Sequence, residues 1–134
     1  MDAVQALSEL TEISSQIEAA CLFDSEANLL GSTLEDEAVA RRFAEAAAAL
    51  LQDAVRTQAN DKELVQLEAA LLDGSVFLVL EGHLAVAAVT RPEPTVGLVF
   101  YDLKSCLRSA ATPGDDDGKP RPKARRKEAS ESAA

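Results

Sequence analysis

Residues 64–90 read LVQLEAALLDGSVFLVLEGHLAVAAVT, and the spacing of their turn residues decides the fold. Three apolar segments, Leu64 to Leu72, Val76 to Leu80 and Leu84 to Val89, follow one another with little between them but Asp73-Gly74 and Glu81-Gly82-His83. Short antiparallel hairpins need such connectors, because glycine takes positive φ at no steric cost. The stretch therefore predicts a three-strand antiparallel meander. Beyond it, Arg91-Pro92-Glu93-Pro94 forbids a further strand, since proline donates no ladder hydrogen bond. Thr95 then caps a last helix in which Val96, Val99, Phe100, Leu103 and Leu107 recur at helical spacing.

Upstream of the meander, the polar stop Asn60-Asp61-Lys62 ends a long helix running to about Ala59. Ser32-Thr33-Leu34-Glu35-Asp36 offers it a capping box, a hydroxyl and a carboxylate three residues apart that can each satisfy an orphan N–H. Within the helix Val39, Phe43, Ala46, Leu50 and Ala54 form one apolar stripe, widened by Ala47, Leu51 and Val55. The run Ala46 to Ala49 combines high helix propensity with little bulk, which suits either close approach of a second helix or an ordinary core helix. Before it, Ile17 to Asp24 and Leu29-Leu30 read as a hairpin, with Asn28 the residue best able to take a left-handed conformation. Residues 2 to about 15 place Val4, Leu7, Leu10 and Ile13 at steps of three, the mark of an amphipathic helix. The order is helix, hairpin, long helix, meander, helix.

A chain of 134 residues has room for one core. No apolar run of about 18 residues exists to span a membrane, and the first stretch, MDAVQALSELTEISSQIE, is acidic where a signal peptide is basic; a cytoplasmic protein is expected. Cys21 and Cys106 lack the close spacing of metal ligands and read as reduced, buried thiols. Residues 1–110 hold 18 Asp and Glu against 7 Lys and Arg, a charge of −11 that phosphate backbones repel, so no nucleic-acid partner is expected. From Thr112 onward no apolar side chain exceeds alanine, so residues 1–111 are expected to form the domain and residues 112–134 a disordered charged tail. Its basic block, KPRPKARRK at 119–127, suits an anionic lipid or nucleic acid, an acidic protein surface, or solubility alone.

Catalytic chemistry finds little to work with. There is no phosphate loop, nucleophile elbow or zinc helix motif, and the single histidine, His83, sits at a turn. Asp115 to Asp117 are consecutive, without the alternation of a calcium loop. No cofactor, no metal and no enzymatic activity are expected.

From Leu7 to Ala110 the pattern resembles the Roadblock family, that of the dynein light chain Roadblock and of bacterial gliding-polarity GTPase-activating proteins. The stretches that carry the likeness are AACLFDSEANLLGST, DEAVARRFAEAAAALLQDAV, the meander, and VGLVFYDLKSCLRSA. Two departures are Asn28 where members have Gly, and Gln16-Ile17-Glu18 where many have Pro-Gly before the first strand. The resemblance implies an α+β fold: a five-stranded, mostly antiparallel sheet with the central helix on one face and the terminal helices on the other. It implies dimers formed by the first meander strand and the central helix, here through Phe43, Ala46, Ala47, Leu50, Leu51, Leu64, Val65, Leu67, Ala69 and Leu71, with a copy of itself or a paired Roadblock subunit. Such a strand is too apolar to be left a bare edge, which supports the pairing independently. It also implies a non-catalytic regulator of a Ras-like small GTPase, met by Arg41, Arg42, Glu45, Gln52 and Arg56. These five residues fit a plain solvated helix face equally well. The alternative is a dimeric adaptor of a larger complex without GTPase contact.

Overall fold

The computed structural model describes residues 2–57 and 64–111; the polar stop at 60–62 and the tail from 112 lie outside the described residues. The elements are α1 (Ala3–Ile13), β1 (Ile17–Asp24), β2 (Leu29–Ser32), α2 (Glu37–Thr57), β3 (Leu64–Leu71), β4 (Gly74–Glu81), β5 (Leu84–Thr90) and α3 (Val96–Ala111). The strands form one sheet in the order β2-β1-β5-β4-β3, with every neighbouring pair antiparallel.

Alternation along the strands splits the core in two. Ala20, Leu22, Phe77, Val79, Val86 and Ala88 face α1 and α3, where Phe77 meets Phe100 edge to face at 5.0 Å. Cys21, Phe23, Val65, Leu78, Ala85 and Ala87 face α2. Because helices cover both faces, the inner strands read as continuous apolar runs such as Ala20 to Phe23. Gly74 begins β4 where the backbones nearly touch: a Cβ there would lie 2.2 Å from the Thr90 carbonyl oxygen, so only glycine fits.

Four local expectations are corrected. On α1, Val4 and Ile13 are 67% and 70% exposed, while Ala6, Leu7 and Leu10 are buried. A step of three residues slips about 60° around a helix each time, so after three such steps Ile13 lies about 180° from Val4 and the four cannot share one face. The left-handed residue of the first hairpin is Ala27 (φ 70°), not Asn28. The Asp24 carboxylate organises that turn by accepting the N–H groups of Glu26 and Asn28, each at 2.9 Å, which also holds its pKa below the ordinary carboxylate value. At the start of α2, Asp36 accepts the Ala38 N–H at 3.0 Å, whereas Ser32 accepts the Leu34 N–H before the helix begins. The fourth correction concerns the buried face of α2, made of Ala40, Ala44, Ala47, Ala48 and Leu51: Ala47 and Leu51 belong to the expected widening of the stripe, but the stripe itself, from Val39 to Ala54, is not buried.

Candidate interaction surface

Helix α2 has three faces, and their arrangement follows from 100° of turn per residue. The alanine face lies on the sheet. Small side chains bring the helix close, so the short approach that Ala47 and Ala48 permit is made to the chain's own strands. Beside that face runs an apolar flank of Val39, Phe43, Ala46, Leu50 and Ala54, in which Leu50 remains 50% exposed and Val39 39%. On the other flank Arg41, Gln52, Glu45 and Arg56 fall within an arc of roughly 60°, with Arg42 farther round the outer surface. All five are exposed.

Most of the polar flank is held by short-range contacts. Arg41 pairs with Glu37 one turn earlier, and Arg56 pairs with Asp53 at 2.8 Å. Gln52 reaches the Ser25 carbonyl at 3.4 Å, and Arg42 and Glu45 make no ion pair with the described residues. Exposed i,i+3 and i,i+4 pairs hold side chains only loosely, so these arginines can exchange partners at little cost. Under this flank, between the second half of α2 and the end of the sheet, lies a cleft of about 380 Å³. Phe23, Leu51, Val55, Leu80 and Ala85 line it, and Gln52 and Arg56 stand at its rim. The cleft is not legible in the sequence, because its walls come from four separate elements.

Strand β3 is one of the sheet's two outer strands, the other being β2, and among the described residues it pairs only with β4 along its eight residues. Its outward edge leaves N–H and C=O groups without a strand partner, and Leu71 on it is 63% exposed. Of the residues expected at a dimer contact, Phe43, Ala46, Leu50, Leu67, Ala69 and Leu71 are exposed or half-buried on β3 and the apolar flank. Ala47, Leu51 and Val65 are instead buried in the chain's own core, and Leu64 packs toward the α1–α3 side. They can support a contact with a second copy but not form it.

The catalytic inventory is short. Cys21 and Cys106 are free thiols, both pushed up to about 12 by burial, which keeps them protonated and unreactive. Among the described residues there is no group of three or more His, Cys, Asp or Glu side chains able to hold a metal ion, and no helix long and apolar enough to cross a membrane.

Solved structures with this arrangement of strands and helices include Roadblock domains. A Roadblock/LC7 domain from Streptomyces avermitilis superposes with a TM-score of 0.69 at 16% identity, over 81% of this chain and 94% of the other. The chain has the Roadblock fold. Two further structures share it: the gliding protein MglB of Thermus thermophilus, with a TM-score of 0.56 at 17% identity over 81% of this chain and 85% of that one, and Myxococcus xanthus MglB, with 0.52 at 17% over 79% of each. No protein-family model and no curated protein matches the sequence. Identities this low establish the Roadblock fold and leave function to the surfaces above.

Proposed function

We propose that the chain is a non-catalytic, cytoplasmic regulator that pairs with a second copy, or with another Roadblock subunit, and binds a Ras-like small GTPase. The observation that carries this reading is the exposed apolar side chains on two elements, Leu71 on the unpaired edge strand β3 and Leu50 and Val39 on the flank of α2. Covering each large side chain there, such as Leu50 or Leu71, is worth about 1.5–3 kcal/mol, and pairing β3 with a second β3 satisfies the open edge. Two chains joined this way place their α2 helices together, so that the polar flanks become one platform.

The partner's class is argued from the resemblance and from charge. Arg41, Arg42 and Arg56 can pair with acidic loops, Glu45 and Gln52 offer acceptors between them, and the apolar cleft beneath can seat a side chain of the partner. The chain has no phosphate-binding loop, so its effect is expected as a changed hydrolysis rate in the partner.

The test is a pull-down and hydrolysis assay with the small GTPase encoded nearest to this chain, loaded with GDP or a GTP analogue. Binding that prefers the GTP form and is lost in an Arg41→Glu, Arg42→Glu double variant supports the proposal. Binding absent in both nucleotide states would sink it and leave the adaptor role. Binding that the double variant keeps would move the site off this flank.

A further inference from the structure

On the opposite face of the sheet, α1 and α3 lie side by side. Between them is a cleft of about 250 Å³, walled by Leu10, Ile13 and Tyr101, with Glu9 and Asp102 among its lining. Asp102 is 8% exposed, yet it makes no hydrogen bond or ion pair with any described residue. The other buried faces of α3 are filled by Val99, Leu103 and Leu107, as packing on a sheet requires.

A carboxylate in that position opposes folding. Largely withdrawn from water without a protein partner, it keeps only part of its hydration at the cleft, and an apolar or amide side chain would hold the helix pair better. Burial is accordingly the cause that raises its pKa, with no nearby cation to offset it. Glu9, on α1, lines the same cleft with a second negative charge, which bears on the Cys106 thiol. The rim is apolar and open: Ile13 and Tyr101 are both exposed on either side.

We infer that this cleft is a docking site for a protein partner that inserts an arginine or lysine side chain, its stem against Ile13 and Tyr101 and its cation on Asp102 and Glu9. Three features select that chemistry. A largely buried acceptor with no protein donor gains a charge-assisted hydrogen bond, which strengthens as the incoming side chain displaces water from the cleft. The long aliphatic stem of a basic side chain matches apolar walls above a charged floor. Tyr101 presents an aromatic ring at the rim, over which a guanidinium is attracted more than a neutral group of the same shape. The site lies across the sheet from α2, so a partner here and a partner on α2 can be held at once.

The experiment uses the full chain, labelled for NMR, and two capped tripeptides: leucine-arginine-leucine and its neutral isostere leucine-citrulline-leucine. The arginine peptide is expected to shift the amides of Glu9, Ile13, Asp102 and Ser105 and to lower the pKa of the Asp102 carboxyl, read from its side-chain carbon resonance. The citrulline peptide is expected to bind about tenfold more weakly or worse, the loss that one charge-assisted bond sets. Asp102→Asn should remove the discrimination between the two peptides while raising the melting temperature of the free protein, and Glu9→Gln should reduce it in part. Equal binding of both peptides, no response to either, shifts confined to other faces, or discrimination that survives in Asp102→Asn would each overturn the inference. Deleting residues 112–134 is the remaining arm: if it alone raised the Asp102 pKa, the cation would be the chain's own basic block and no outside partner would be needed.

Discussion

Asp102 and Asp24 have opposite signs in the stability of this chain. The Asp24 carboxyl is held low by the N–H groups of its turn, so its contribution is present above the ordinary value of 3.8 and is lost as pH falls through the folded pKa. Asp102 is raised by burial, so the folded state binds its proton more tightly than the unfolded one; stability is greatest below 3.8 and declines as pH rises to the raised pKa. Asp102→Asn is therefore expected to be more stable than wild type at neutral pH, with the difference shrinking in acid, as thermal melts across pH would show. The other charged group lining the Asp102 cleft is Glu9 on α1, with no described cation. A second residue-scale prediction concerns Gly74, where alanine would strike the Thr90 carbonyl and is expected to cost more than about 2 kcal/mol by denaturant titration. The Asp73-Gly74 turn was legible in sequence. The left-handed Ala27 was not, because a carboxylate three residues earlier, rather than the residue's own preference, sets that turn.

Among the elements, the meander and α3 were readable because their periods are carried by neighbouring residues, and α1 was readable as a helix although Val4 and Ile13 fall outside its buried face. Helix α2 was readable as a helix but its faces were not. Its sheet-facing residues are alanines apart from Leu51, so the large side chains Val39, Phe43 and Leu50 drew the main apolar stripe away from the face that is buried. Two substitutions one residue apart separate these faces. Ala47→Arg forces a charge between α2 and the sheet and is expected to destabilise the fold by more than about 2 kcal/mol. Ala46→Arg, on the exposed flank, is expected to leave the melting temperature of an isolated chain nearly unchanged and to weaken pairing. Comparison of circular-dichroism melts with sedimentation distinguishes the two effects; equal losses of stability would mean that the three-faced description of the helix is wrong. Strand β3 is probed in the same way by Leu67→Lys, which places a charge on its α2-facing side.

Across the whole molecule, the acidic body and the basic residues 119–127 are unlike charges on one chain. We propose that residues 112–134 are dispensable for folding: trypsin is expected to cut first between Lys119 and Lys127, and removing the segment is expected to leave the melting temperature of the body where it was. The larger claim is that the β3 edge and the apolar flank of α2 are an interface between two chains, since the platform offered to a GTPase depends on it. Light scattering on the purified protein at micromolar concentration tests that claim most directly. A mass twice the 14.2 kDa of the chain, falling to the single-chain value in Ala46→Arg, is the predicted result, and a wild-type protein that stays soluble as a monomer would contradict it.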